Sequence, residues 1–197
     1  MKHVIVMGAL IALVVWNAYR VRDASDFLYP KDGETLTYTV RVTANTGLYG
    51  EGRATFRHSG AEDIDDKEYQ RFVLNVPDVP ALKHNTIYSR AGKDGIYSRA
   101  STKLRFPEYL EMPYPPKVGY KWTYEHEGST AEKEVLAIES VALPDNKVYQ
   151  NCVKVRSTTT VEGHPVESLA YFAPRVGLVK QTVKLPDGTI ELTLKGD

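Results

Sequence analysis

The 197-residue chain has a single cysteine, Cys152, which excludes an internal disulfide and any zinc or iron–sulfur site built from several thiolates. An excess of charge of one sign is missing too. Lys+Arg and Asp+Glu both total 25, so there is no bulk electrostatic attraction to nucleic acid. The histidines are His3, His58, His84, His126 and His164, and none stands in an HxH or HExxH spacing. No metal centre local in sequence and no cofactor is therefore implied. No serine sits in a G-x-S-x-G elbow, and Gly50-x-Gly52 opens no phosphate-binding loop. Sustained 3.6-residue periodicity is also absent. The best internal helix candidate, Ala61 to Tyr69, is short and acidic and reads equally well as a loop. Its carboxylates, Glu62, Asp63, Asp65, Asp66 and Glu68, lack the central glycine and closing glutamate of a calcium loop, so they are expected to be a solvated acidic face.

Only one long apolar run is present, the thirteen residues Val4 to Trp16, preceded by Lys2 and His3. As a helix it would span roughly 20 Å against about 30 Å for a bilayer core, the length of an export h-region. No small-x-small cleavage site follows: Trp16 and Arg22 occupy the critical positions before Ala18 and Ala24. Residues 1–24 are thus expected to form a hydrophobic helix, either a signal anchor or a signal peptide, with residues 4–19 as the anchoring part. A buried N-terminal element of a soluble protein is the remaining alternative. Arg20 and Arg22 beyond the run outweigh Lys2 and oppose the simplest positive-inside orientation. Without these three residues the chain keeps 22 basic against 25 acidic groups, a mildly acidic body suited to an extracytoplasmic place, in the periplasm or on the outer face of the cytoplasmic membrane.

From residue 35 onward the signal has period two. Leu36, Tyr38, Val40 and Val42 alternate with Thr35, Thr37, Thr39, Arg41 and Thr43, and Tyr120, Trp122, Tyr124 and His126 alternate with Lys121, Thr123, Glu125 and Glu127. Such alternation describes strands with one packed and one wet face. Further strands are expected at Tyr49 to Arg57, Glu68 to Val76, Thr86 to Ala91, Ile96 to Ser101, Lys133 to Val141, Val148 to Thr159, Val166 to Phe172, Leu178 to Leu185 and Thr189 to Leu194. Pro186-Asp187-Gly188 supplies a hairpin turn between the last two. Gly92-Lys93-Asp94-Gly95 joins the twin segments Ile87 to Ala91 and Ile96 to Ala100, and opposing Gly92 to Gly95 sets Tyr88 against Arg99 and Arg90 against Tyr97. Cys152, within one of these strands, is expected to be a buried, inert thiol.

The chain also matches itself. Tyr29-Pro30-Lys31-Asp32-Gly33 followed by Leu36-Thr37-Tyr38 parallels Pro116-Lys117-Val118-Gly119 followed by Trp122-Thr123-Tyr124, with Gly33 and Tyr38 both offset by 86. Lys67-x-Tyr69-Gln70-x-x-Val73 parallels Lys147-x-Tyr149-Gln150-x-x-Val153 at an offset of 80. The expected architecture is all-β: one large curled antiparallel sheet, a half-barrel or open barrel of about 8–10 strands built by internal duplication, with an N-terminal hydrophobic helix. Residues 25–197 would form a single domain of two pseudo-repeats, about 29–105 and 116–197. A proline-rich stretch, 106–116, would join them as an irregular linker.

The segment Pro116 to Tyr124, with its P-x-x-G-x-x-W-x-Y spacing, resembles the opening motif of a class of bacterial exported proteins. Asn151-Cys152-Val153-Lys154-Val155 and Tyr171-Phe172-Ala173-Pro174-Arg175-Val176-Gly177-Leu178-Val179-Lys180 stand where that class carries a central cysteine and a closing signature. On these residues the chain is similar to the DUF3108-type envelope proteins of unknown function, themselves similar to the half-barrels of periplasmic lipoprotein carriers. The resemblance covers roughly residues 113 to 185. Arg175 departs from the usual glycine, and a lipid-accepting cysteine is missing. The resemblance implies a fold and no catalytic residues.

Aromatic residues are plentiful, with 13 Tyr, 5 Phe and 2 Trp. Tyr38, Trp122, Tyr124, Tyr149 and Tyr171, with His126 on the same face as Trp122, are the candidates to line the concave side of the sheet, as core or as the wall of an apolar cavity. The expected function is a non-catalytic envelope module holding a lipid acyl chain or hydrophobic peptide there. Its partners would be a lipid or lipoprotein, an envelope protein and, through the N-terminal segment, a membrane, with no nucleic acid. A structural protein that binds another envelope protein through a sheet edge is the alternative. A hydrolase or isomerase with a dispersed site is the least supported reading.

Overall fold

The computed structural model describes residues 21–31, 33–47, 49–77, 85–102, 107–126, 129–161 and 163–196. The chain forms β1 (Thr35–Ala44), β2 (Tyr49–Ile64), β3 (Lys67–Asn75), β4 (Asn85–Ala91), β5 (Gly95–Arg99), β6 (Tyr109–Pro113), β7 (Lys121–His126), β8 (Ser129–Ala142), β9 (Val148–Val161), β10 (His164–Ala173), β11 (Gly177–Leu185) and β12 (Gly188–Leu194). All twelve belong to one antiparallel sheet in the order β6-β5-β4-β3-β2-β1-β12-β11-β10-β9-β8-β7. Two six-strand meanders, β1–β6 and β7–β12, thus meet where β1 pairs with β12, from Tyr38↔Leu194 to Ala44↔Gly188.

The expected fold needs correction on three points. First, the sheet has twelve strands and not 8–10. Part of the difference is β6, which forms inside the stretch 106–116 that its prolines mark as irregular. A sheet edge tolerates this, because one side of an edge strand has no ladder to donate to. Second, Ala61 to Tyr69 is neither helix nor loop: β2 runs on to Ile64 and β3 starts at Lys67. Asp65 and Asp66 make the turn with φ of 54° and 60°, the left-handed pair that a two-residue hairpin requires and that Asp tolerates. Third, the N-terminal hydrophobic helix is not supported. Among the described residues the helical element is a four-residue 3-10 turn, Ala24–Phe27, capped by the Asp23 carboxylate on the Ser25 amide at 2.8 Å. No helix among the described residues is long and apolar enough to cross a membrane. The expectation of membrane attachment through residues 4–19 is corrected accordingly; those residues lie outside the described ones.

The register at the β4–β5 hairpin follows its turn: the Gly92 amide donates to the Gly95 carbonyl at 2.7 Å, Tyr88 opposes Arg99, and Arg90 opposes Tyr97. The Arg90 guanidinium lies 4.6 Å from the centroid of the Tyr97 ring. Arg175 adopts a left-handed turn conformation (φ 61°), and its amide donates to the Asp26 carbonyl.

The sheet curls until its two edges face each other, making a nearly closed barrel. Among the described residues no backbone ladder joins β6 to β7; side chains do. The Trp122 indole N–H donates to the Leu110 carbonyl at 2.8 Å, and the rings of Tyr109 and Tyr124 stack with centroids 4.4 Å apart. The Lys133 ammonium, next to Trp122 in register, reaches the Glu111 carboxylate at 2.8 Å. One end of the barrel is filled by the 3-10 turn, whose Ala24 and Phe27 pack with Ile96, Met112 and Val135. The β8–β9 hairpin folds back beside it. Leu143, Tyr149 and Cys152 share a core cluster with Tyr38 and Leu194, and the Gly196 amide donates to the Asp145 carboxylate at 3.1 Å.

Candidate functional site

Successive side chains in a strand point to opposite faces, so a closed sheet turns half of every strand into its interior. Here the interior holds a cavity of about 360 Å³, partly open to solvent, to which all twelve strands and the segment Phe27 to Tyr29 contribute. Its wall is uneven. Tyr38, Phe56, Phe72, Leu178 and Leu192 make the side where the two meanders join apolar, and Ile96, Met112, Val155 and Phe172 extend this surface toward the 3-10 turn.

Polar groups gather on the strands leading to the β6–β7 seam. Lys133 opposes Ser157, which opposes Ser168; on the other side Ser89 opposes Ser98, which opposes Tyr109. The stacked Tyr109 and Tyr124 rings connect the two rows. Within them Ser89 and Ser98 share a hydrogen bond of 2.8 Å, and the Gln181 amide donates to Ser168 at 2.9 Å. Lys133 is only 6% exposed, yet its charge is balanced by Glu111, and its ammonium lies 5.5 Å from each of the Tyr109 and Tyr124 ring centroids. Burial pushes the Tyr124 hydroxyl up to about 12, helped by the Glu111 charge, and raises Tyr109 for the same reasons. Both phenols are therefore neutral hydrogen-bonding groups at ordinary pH.

Of the six aromatic and histidine candidates, Tyr38 and Tyr124 line the cavity. The Tyr38 hydroxyl donates to the Leu178 carbonyl at 2.8 Å, and burial raises its pKa. Trp122 closes the seam, Tyr149 packs in the core cluster beneath the barrel, and Tyr171 lies under the Lys154 ammonium at 5.2 Å. His126 is the last residue of β7, and its side chain lies outside the described part of the structure. Cys152 is buried, which pushes its thiol up to about 11. No group of His, Cys, Asp and Glu among the described residues is arranged to hold a metal ion.

Lys133 and Glu111 are the polar residues that a search for aromatics passes over. A signal for Lys133 does exist in the sequence: Ala131, Lys133 and Val135 share one phase of β8 and are all buried, so a lysine stands in an otherwise apolar row. Glu111 has no such signal, because its strand is short and flanked by prolines.

No family model and no curated relative matches the chain, so the DUF3108-type resemblance finds no support there. Solved structures do match. An exported protein with a YmcC-like fold from Bacteroides fragilis superposes with a TM-score of 0.50 at 14% identity, over 83% of this chain and 94% of its own. A lipoprotein from Parabacteroides distasonis gives 0.48 at 12% identity, over 85% and 96%. A LolA superfamily protein from Nitrosomonas europaea gives 0.34 at 9% identity, over 89% and 93%. The first likeness shows a shared fold; the other two superpose too loosely to carry an argument.

Proposed function

We propose that this chain is a non-catalytic, exported binding module that holds an apolar chain inside its barrel. The observation that carries the reading is the cavity of about 360 Å³, walled on one side by aromatic and aliphatic side chains from both meanders. That volume is near the low end of the range of about 300–1,000 Å³ for small-molecule pockets. At about 30 Å³ for each water-sized group, it takes on the order of a dozen methylenes. This favours an acyl chain over a hydrophobic peptide. Each methylene transferred from water contributes about 0.8 kcal/mol, less the cost of ordering the chain. The sheet-edge alternative needs a free edge, whereas the edges β6 and β7 are turned toward each other and bridged by Trp122 and Lys133.

Export is supported by the h-region length of Val4 to Trp16 and by the description of the Bacteroides protein that shares the fold. The place of action is then extracytoplasmic. The same reading takes residues 25–197 as one domain made of two copies of a six-strand unit. Gly33 and Gly119, which precede β1 and β7, have matching left-handed φ of 78° and 82°.

The test is titration of the purified protein with N-phenyl-1-naphthylamine, a dye that fluoresces in apolar surroundings. Ile87→Trp narrows the cavity and should weaken dye binding at least tenfold, about 1.4 kcal/mol. Tyr49→Trp adds the same ring at an exposed outer position and should leave it unchanged. Equal affinity in both variants would mean that the dye binds elsewhere and would overturn the reading.

A further inference from the structure

We infer that the seam side of the cavity is a head-group subsite, and that the chain it takes ends in an uncharged hydrogen-bonding head, an ester, amide or alcohol, in preference to a free carboxylate. The inference rests on the apolar-chain reading and adds the chemistry of the other end of the ligand.

A buried lysine facing a cavity is at first sight an anchor for a fatty-acid carboxylate. The surroundings of Lys133 argue otherwise. Its ammonium already contacts the Glu111 carboxylate at 2.8 Å and the Glu111 carbonyl at 3.4 Å, with the Tyr109 and Tyr124 rings over it. The pair is neutral as a unit, and Glu111 itself lines the cavity. An incoming carboxylate would lose its hydration, find no unpaired cation and meet a like charge. An ion in that place would be opposed by both effects.

Neutral polar heads meet the opposite situation. Ser157 lies between Lys133 and Ser168 in register and makes no side-chain hydrogen bond among the described residues. Ser168 accepts from Gln181, which leaves its own hydroxyl proton to give. The Ser89–Ser98 pair uses one proton between them, so one remains. A hydroxyl offers one donor and two acceptor sites, so this row of serines matches an ester, amide or alcohol without adding charge. The apolar wall across the cavity, from Tyr38 to Phe72, receives the rest of the chain.

Two ligands with the same twelve-carbon chain separate the cases: monolauroylglycerol and laurate, each below its micellar concentration at neutral pH. Each is used to displace N-phenyl-1-naphthylamine from the full-length protein. The glyceride should displace the dye at a concentration at least tenfold lower than laurate. Glu111→Gln keeps an acceptor for Lys133 but removes the negative charge, so laurate should tighten at least tenfold and the preference should vanish or invert. Ser157→Ala combined with Ser168→Ala should weaken the glyceride severalfold and leave the dye's own affinity unchanged, a readout that does not depend on altering the ion pair. Laurate binding as tightly as the glyceride to the unaltered protein, or a ratio unmoved by Glu111→Gln in a protein with unchanged circular dichroism, would overturn the head-group assignment alone. Failure of the dye to bind at all would instead overturn the cavity reading beneath it.

Discussion

Glu108 stands just ahead of β6 and accepts two hydrogen bonds of 2.6 Å from Arg90, one of 3.2 Å from Lys67 and one from Tyr69. Burial by itself would raise its pKa, but these donors outweigh burial and hold the carboxyl at about 2, against an ordinary 4.5. A carboxylate depressed in the folded state contributes stability that is present above its unfolded pKa and lost as pH falls through the folded one. Thermal unfolding followed by circular dichroism should therefore show the melting temperature falling as pH drops from 4.5 toward 2, and Glu108→Gln should flatten that part of the profile. An identical acid slope in the variant would show that Glu108 is not the group responsible. Half of this cluster is legible in the sequence. The twin Ile-Tyr-Ser-Arg-Ala segments set Arg90 against Tyr97, which the hairpin keeps. The carboxylate partner is not legible, since it comes from beyond β5 and reaches Arg90 only when β6 docks.

At the scale of elements, the decisive feature is how β6 and β7 meet. Both have an unpaired side, and edge strands left open invite pairing with other chains. Here the gap is spanned by a hydrogen bond from Trp122 to Leu110, by stacked tyrosines and by one ion pair. Trp122→Phe keeps an aromatic ring and removes the indole donor. It should cost about 1 kcal/mol in urea unfolding, the net value of one such bond. A loss below the error of the measurement would mean that water serves the Leu110 carbonyl equally well. The alternation in Tyr120 to His126 makes β7 visible from sequence, but the prolines around Tyr109–Pro113 hide its neighbour. Local propensity counts against a strand there, and only the demand of β5 for a partner on its free side outweighs it.

For the molecule as a whole, closure creates the cavity, and the 3-10 turn packs into one end of the barrel, where Phe27 forms part of the cavity wall. Phe27 is 3% exposed and is wedged among residues of β5, β6, β8 and β9. Phe27→Ala should destabilise the protein by about 3–5 kcal/mol, the usual cost of removing a buried phenylalanine, as measured by urea unfolding. A change under about 1 kcal/mol would mean that the turn is a loose cover and not part of the core. The long β8–β9 hairpin supports the same end from the other side, through Leu143 and Tyr149. Neither contribution shows in a local pattern, because each joins residues far apart in the chain, Phe27 with Met112 and Val135 in one case and Tyr149 with Tyr38 in the other.

The sequence alone determined the all-β class, the phase of most strands and the turns at Gly92 to Gly95 and Pro186-Asp187, since alternation and turn chemistry act over a few residues. Tertiary structure decided the rest: that twelve strands curl into one barrel, that Trp122 serves a seam while Tyr38 and Tyr124 face a cavity, and that Lys133 meets Glu111 across that seam. Period two tells which residues share a face of a strand. Which faces come together depends on strand number, twist and stagger summed over the entire sheet, and no single segment contains that sum.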